Sequence, residues 1–318
     1  MTKKINAVLQ YDATPSLQAR IASLQSDWLR IDWVPESDKR GFARLMREAD
    51  VLWHVLEPVT AQVIAEAPRL KLIQKIGVGV NTIDLNAALR HGVAVANMPG
   101  TNSQAVAELT LSLMLGVLRR VASFDRCTRE GKGWTFDRSV LDRVGELHGR
   151  TIGMVGFGAV PRILAPVCRA LGSRVVFCSP EPKPDVEWQR LDFEELLACS
   201  DIVSLHIPAN ERTTGLIDAA AIRRMKPGAI LVNTARGALI DEVALVAALR
   251  SGHLGGAGLD VFAQEPVDSN NPLLQLDSVV LAPHIAWMTP ETLERSLCVA
   301  VENGRRIRDD EPLLHRVA

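Results

Sequence analysis

The sequence predicts an α/β protein made of two doubly wound parallel-sheet domains. Three observations carry that prediction. The chain has 318 residues, more than one hydrophobic core usually serves. From about residue 151 to 283, short apolar runs alternate with helix-like or loop-like segments. These runs are mostly continuous rather than alternating in polarity, as expected of strands buried on both faces of a parallel sheet. The first hundred residues repeat the same rhythm more weakly.

In the N-terminal part, apolar runs at 6–10, 29–34, 50–56, 71–77 and 93–97 alternate with amphipathic stretches. The segment NMPGTNSQ (97–104) is rich in turn formers and opens a long helix over 104–120, with Thr101 and Gln104 at capping-box spacing. A first domain crossing is placed there. The second region contributes TIGMVG (151–156), RVVFC (174–178), DIVSLH (201–206), AILVNT (229–234), GAGLDVF (256–262) and VVLAP (279–283) as strands. Helices are expected at 164–171, 193–198 and 242–250. A second crossing near PHIAWMTP (283–290) lets a final helix, about 291–308, return to the N-terminal domain. The expected domains are thus 1–100 with 289–318, and 101–288. No low-complexity segment or tandem repeat interrupts them.

Composition narrows the function classes. A hydrophobic fraction of 47% and a charged fraction of 23% are ordinary for a soluble enzyme. A net charge of −1 gives no reason to expect nucleic acid or an anionic membrane as partner. Aromatic residues make up only 4%, with one Tyr, which argues against base-stacking platforms. The five cysteines, Cys127, Cys168, Cys178, Cys199 and Cys298, are odd in number and form no C-x-x-C pair. Reduced thiols in a cytoplasmic protein are expected, with no disulfide framework and no metal site. The N-terminus lacks an apolar signal region, and no run of 18 apolar residues occurs.

In open α/β sheets, ligands bind beyond the carboxyl ends of the strands. Most of the unusual polar chemistry of the second region falls at that edge: Gly156 to Gly158, Ser179, His206 to Pro208, Thr234 to Arg236, Asp260 to Glu265, and His284. Gly156-Phe157-Gly158-Ala159-Val160-Pro161 follows the first strand and precedes a helix, the context of a dinucleotide-binding turn. The third small residue of that pattern is replaced by Pro161, which a first helical turn tolerates. Pro166, a turn later, is expected to loosen or kink the helix. The acidic residue that binds ribose hydroxyls in NAD enzymes is missing, and Ser179 stands in its place. Losing that charge favours NADP over NAD, with Ser179 as donor and Lys183 or Arg162 as cation. A pocket that tolerates both cofactors is the alternative.

Arg236, Glu265 and His284 form the candidate catalytic set. Reducing a 2-oxo acid needs a cation to hold the carboxylate and polarise the carbonyl, which Arg does with a bidentate fork. It needs a proton donor for the oxygen that becomes hydroxyl, a task suited to His. A carboxylate bonded to that His fixes its tautomer and favours the imidazolium. Singly, each residue has an ordinary structural reading. The joint pattern is far more specific.

The sequence resembles the D-isomer-specific 2-hydroxyacid dehydrogenase family over almost its whole length. The resemblance rests on KIGVGVNTIDL (75–85), NMPGTNSQAVAELTLSLML (97–115), GRTIGMVGFG (149–158), LHIPANERTTGLID (205–218), MKPGAILVNTARGALIDE (225–242), GAGLDVFAQEP (256–266) and APHIA (282–286). It implies a Rossmann nucleotide-binding domain and a smaller flavodoxin-like substrate domain with a cleft between them, dimerising through the nucleotide-binding domain. It implies catalysis by Arg236, Glu265 and His284. Nicotinamide-cofactor contacts are implied from Gly156, Phe157, Gly158, Ala159, Val160, Pro161, Ser179, His206, Ile207, Pro208, Thr213, Thr234, Ala235, Arg236, Asp260, His284 and Ala286. Substrate contacts are implied from the backbone of Val78 and Gly79, from Arg236, and near His54 and Leu56. His54 reads equally as a substrate contact or a solvated loop residue.

Departures from the family pattern sharpen the reading. Trp287 stands where a small residue is usual, a form similar to glycerate dehydrogenases and hydroxypyruvate reductases, and would favour a short substrate. Alternatively, it packs between domains or subunits. Glu265 replaces the Gln of formate dehydrogenases of this fold, which disfavours that activity. The chain stops soon after the return helix, so no regulatory domain is expected. The expected activity is reduction of a glyoxylate- or hydroxypyruvate-like acid. The alternatives are a catalytically impaired homologue and a nicotinamide-sensing, corepressor-like binding protein of the same fold.

Overall fold

The computed structural model describes residues 3–318. In chain order the first elements are β1 (Ile5–Gln10), α1 (Pro15–Leu24), β2 (Leu29–Val34), α2 (Lys39–Met46), β3 (Val51–His54), α3 (Ala61–Ala65), β4 (Leu72–Lys75), α4 (Leu85–Arg90) and β5 (Ala94–Ala96). Next come α5 (Ser103–Leu118), α6 (Val121–Arg129), β6 (Thr151–Val155), α7 (Ala159–Ala170), β7 (Arg174–Cys178), β8 (Gln189–Arg190), α8 (Phe193–Cys199) and β9 (Ile202–Leu205). The chain ends with α9 (Ala219–Arg224), β10 (Ala229–Asn233), α10 (Glu242–Arg250), β11 (Leu254–Leu259), β12 (Val279–Leu281) and α11 (Pro290–Asp309).

Two compact units result. One takes the chain through Asn102 and resumes at Thr289, and the other is Ser103–Met288. The first holds a five-stranded sheet in the order β2-β1-β3-β4-β5, and the second a seven-stranded sheet in the order β12-β11-β10-β9-β6-β7-β8. Every strand pairing is parallel. In both sheets the order reverses beside the first strand of the unit, the topological switch point of a doubly wound fold.

The continuous apolar runs have a direct physical cause in the larger sheet. Ile152 and Met154 of β6, Val175 and Phe177 of β7, and Ile230 and Val232 of β10 enter one core, with α5 and α7. Their sequence neighbours Val155, Val176 and Leu231 enter the other, with α8, α9 and α10. Successive strand residues face opposite ways, so a strand covered on both faces is apolar at every position.

Short polar side chains set the helix starts. Thr14, Asp84, Asp218 and Thr289 each accept a first-turn N–H of α1, α4, α9 and α11. Two expectations are corrected. Thr101 and Gln104 form no capping box: the Thr101 hydroxyl donates to the Met98 carbonyl at 3.0 Å, and the Gln104 amide donates to Glu108 at 2.7 Å. The helix expected to Arg120 ends at Leu118, because Arg120 adopts a left-handed conformation (φ 51°) that starts α6. Pro166 does not break α7, which runs unbroken from Ala159 to Ala170. Pro166 lies on its exposed face, so the carbonyl deprived of an N–H partner can be hydrated.

Within the first unit, α11 is tied to the sheet by a buried amide pair. Asn303 Nδ2 donates to Gln74 Oε1 at 2.6 Å and to the Leu314 carbonyl at 3.1 Å, and Leu314 N donates to Asn303 Oδ1 at 2.8 Å. Both side chains are fully buried. Removing one partner strands the others without water. Asn303→Ala is therefore expected to lower unfolding free energy by about 3 kcal/mol. Urea denaturation of the two proteins measures this, and a loss under about 1 kcal/mol would show that the network carries little.

Candidate active site

The polar residues of the second unit gather at the carboxyl edge of its sheet, strand by strand. After β6, Gly156 takes φ +92°. A Cβ there would lie 2.6 Å from both the His206 carbonyl oxygen and Ile207 Cγ2, so only glycine fits. Gly158 is the N-cap of α7 and provides no side-chain acceptor, and a Cβ built on it would meet nothing within 4 Å. The amides of the first turn of α7 thus face open space, the arrangement a pyrophosphate needs. Pro161 is buried in that same turn, where a proline sacrifices no helical hydrogen bond. This loop fits a dinucleotide cofactor.

After β7, the Ser179 hydroxyl donates to the Glu181 carbonyl. Arg162, expected as a free cation, is paired with Asp185 at 2.8 Å. After β9, His206 Nε2 lies 2.9 Å from Ser204 Oγ. Burial pushes this imidazole down to about 3, so it is neutral near pH 7. Thr213 Oγ1 donates to the Pro208 carbonyl at 2.7 Å and so closes the following loop.

After β10, the fully buried Asn233 shapes the turn that carries Arg236. Its Oδ1 accepts the Ala235 N–H at 3.0 Å, and its Nδ2 donates to the Arg236 carbonyl at 2.8 Å. Arg236 Nη1 donates to the Ala235 carbonyl at 2.6 Å, and Thr234 Oγ1 lies 2.8 Å from Thr110 Oγ1. Burial pulls the Arg236 guanidinium below its ordinary pKa, opposed by the charge of Glu265. It still stays cationic, since arginine is not deprotonated in proteins.

The segments after the last two strands bring a carboxylate and an imidazole together. Asp260, fully buried after β11, accepts Ile285 N–H at 2.8 Å and Ala286 N–H at 3.0 Å, while its carbonyl accepts His284 N–H at 2.7 Å. These three bonds hold His284 at φ 55°, a left-handed conformation that costs a non-glycine residue about 1–2 kcal/mol. Burial raises the Asp260 carboxyl above its usual range and Glu265 adds to this, against the two amides and His284. Glu265 Oε2 meets His284 Nδ1 at 2.6 Å, and its Oε1 accepts Phe262 N–H at 2.9 Å. Burial pushes the Glu265 carboxyl up, but the His284 bond, the Phe262 amide and the charges of His284 and Arg236 bring it below the ordinary value.

Two residues outside the sequence-predicted set shape this corner. Glu242, at the start of α10, accepts Ala263 N–H at 2.6 Å and Asn271 Nδ2 at 3.0 Å, pinning the loop that bears Glu265. A Cβ on Gly237 would lie 1.9 Å from the Phe262 carbonyl, so glycine lets the Arg236 turn touch that same loop. Asn233 was legible as a polar residue in an apolar run, whereas Glu242 reads as an ordinary first-turn acid. Ala286 is buried and Trp287 half-buried.

The remaining expected residues belong to the first unit. Leu56 and Val78 are exposed, Gly79 is half-buried, and Asn97 Nδ2 donates to the Val78 carbonyl at 2.9 Å. His54 is the last residue of β3 and only 3% exposed, which excludes the solvated-loop alternative. Its Nε2 lies 2.8 Å from the Glu57 carbonyl, and its Nδ1 is buried without a hydrogen-bond partner among the described residues. Burial first, then the Lys75 charge, push this imidazole down to about 3 against the Glu57 carbonyl.

Unfolding restores an ordinary histidine near 6.5. Below that pH the unfolded chain takes up a proton that folded His54 refuses until about 3, so stability is lost as pH falls through this window. In His54→Gln, the slope of unfolding free energy between about pH 6 and about pH 4 is expected to flatten by about 1.4 kcal/mol per pH unit. Urea titrations across that range check this, and parallel slopes would contradict it.

The comparisons with known proteins agree with this architecture. Residues 111–286 match the model of the D-isomer specific 2-hydroxyacid dehydrogenase NAD binding domain. The chain is 38% identical over 293 residues to the D-3-phosphoglycerate dehydrogenase of Mycobacterium leprae, covering 91% of this chain and 54% of that protein. It therefore spans about half the length of that relative. It is 38% identical over 278 residues to the glyoxylate reductase of Korarchaeum cryptofilum, covering 86% of this chain and 83% of that one. The TT0316 protein of Thermus thermophilus superposes with a TM-score of 0.89 at 36% identity, over 99% of this chain and 100% of its own. The chain belongs to the D-isomer specific 2-hydroxyacid dehydrogenase family.

Proposed function

We propose that the chain reduces a small 2-oxo acid, of the glyoxylate or hydroxypyruvate kind, to its D-2-hydroxy acid with a reduced nicotinamide dinucleotide, NADP in preference to NAD. The observation that carries this reading is the Glu265–His284 pair, with Nδ1 and Oε2 at 2.6 Å. Glu265 fixes the proton on Nδ1 and leaves Nε2 to exchange a proton with the substrate oxygen. Arg236, anchored on the Ala235 carbonyl through Nη1, has its other nitrogens available to grip the substrate carboxylate and polarise the carbonyl.

The cofactor supplies the hydride that reduces the carbonyl carbon. The open first turn of α7 would hold its pyrophosphate, and the segments after β7, β9 and β10 would hold the rest. His284 gives a proton to the carbonyl oxygen in reduction and takes it back in oxidation, so one imidazole serves both directions. The backbone of Val78 and Gly79 and the region of His54 and Leu56 serve as further substrate contacts. Trp287 limits the length of the acid. The relatives named as glyoxylate reductases favour a two- or three-carbon substrate.

Function in the reducing cytoplasm fits five cysteines that are all free thiols. A homodimer through the second unit fits the surface around α6. None of its residues is buried, and Trp134, just beyond it, is 88% exposed. Light scattering is expected to give twice the chain mass for the wild type and the chain mass for Trp134→Glu. A wild-type monomer would overturn the dimer.

The activity is tested by loss of reduced-nicotinamide absorbance with NADH and NADPH separately, against glyoxylate, hydroxypyruvate, pyruvate and phenylpyruvate. Turnover is expected with glyoxylate and hydroxypyruvate. His284→Gln and Arg236→Ala are each expected to lower kcat/KM by about a thousandfold while cofactor affinity changes little. Near-wild-type turnover in either variant would overturn that residue's role.

A further inference from the structure

The strand that ends at Ser179 lacks the carboxylate that would take ribose hydroxyls, and the structure puts a cation there instead. Arg190 of β8 pairs in register with Phe177 of β7. Partners in register on parallel strands share a sheet face. Phe177 packs against Phe157 of the Gly156–Gly158 loop with ring centroids 4.5 Å apart, so Arg190 stands on the face that bears this loop. Its guanidinium reaches past the strand end. Nε and Nη2 donate to the Ser179 carbonyl at 3.1 and 2.8 Å, and Nη2 donates to the Pro180 carbonyl at 3.3 Å.

Two of the three residues expected to serve this corner are engaged elsewhere, and the third, Lys183, has no side-chain hydrogen bond or ion pair among the described residues. Arg162 of α7 is neutralised by Asp185, and the Ser179 hydroxyl is turned to Glu181. Arg190 is bonded to peptide carbonyls and forms no ion pair with a carboxylate among the described residues. We infer that Arg190 recognises the 2′-phosphate of NADP(H) and sets the preference of this chain for it over NAD(H), an assignment that rests on the dehydrogenase reading above. A phosphate dianion is a much stronger acceptor than a peptide carbonyl and matches the guanidinium fork, so Arg190 exchanges carbonyl bonds for bidentate phosphate bonds. A bare 2′-hydroxyl offers no such exchange, and no carboxylate stands at Ser179 to receive it. Short strand β8, which the sequence does not announce, exists to carry this side chain to the strand end.

Calorimetric titration of the full chain with 2′,5′-ADP and 5′-AMP isolates the phosphate from the nicotinamide and from turnover. The wild type is expected to bind 2′,5′-ADP at least about tenfold more tightly than 5′-AMP, the value of a charge-assisted pair of bonds. In Arg190→Met that ratio falls to near one while 5′-AMP affinity holds, and Arg190→Lys, which keeps charge without the fork, gives an intermediate ratio. Raising salt shrinks the wild-type ratio, because the site is exposed. Equal wild-type affinities for the two nucleotides, or a ratio untouched in Arg190→Met, overturn the assignment. If 5′-AMP and NADH still bind in that case, the dehydrogenase reading stands. If no nucleotide binds at all, both fall together.

Discussion

The site is organised around one buried charge. Asp260 is fully enclosed at the end of β11, and a carboxylate in that position must have its oxygens satisfied. It does so by accepting the amides of Ile285 and Ala286 while its own carbonyl takes the amide of His284. Those bonds force the chain after β12 into a tight turn with His284 in a left-handed conformation. The imidazole is thereby set against Glu265, which belongs to the loop that leaves β11 only five residues after Asp260. The left-handed backbone at His284 is therefore held by the hydrogen bonds that a buried neighbouring acid requires.

The same logic runs along the rest of the sheet edge. Three of its loops are each closed by a polar side chain that bonds backbone: Asn233 for the Arg236 turn, Thr213 for the loop after β9, Glu242 for the loop that bears Glu265. These bonds fix the main-chain geometry that presents Arg236, Glu265 and His284 at the sheet edge. The pair His284–Glu265 remains about one-third exposed on each side, so it stays open to solvent. Two other histidines are held as neutral polar residues: desolvation drives His206 to about 3, and desolvation with the Lys75 charge does the same to His54.

Much of this was legible in the residues. Both parallel sheets follow from continuous apolar runs, and helix 242–250 coincides with α10 because Asp241 caps it at the expected point. Arg236, Glu265 and His284 stand out because they are ionisable residues directly after apolar strands. The misses have local causes. Thr101 and Gln104 have capping-box spacing, but the Thr101 hydroxyl is satisfied by the Met98 carbonyl, so the box never forms. Strand β8 is two residues long and polar, with no periodicity to read.

What the sequence determined by itself is the architecture and the chemical inventory: parallel sheets, a glycine turn ready for phosphate, and a cation, an acid and an imidazole after successive strands. These follow from polarity patterns and steric limits that act over a few residues. Only the tertiary structure decided which of those groups meet. The 2.6 Å approach of Glu265 to His284, the neutralisation of Arg162 by Asp185, and the arrival of Arg190 at the end of β7 all join residues from different elements. Pairings of that kind depend on strand register and on which side chains lose water, and neither is written in local sequence.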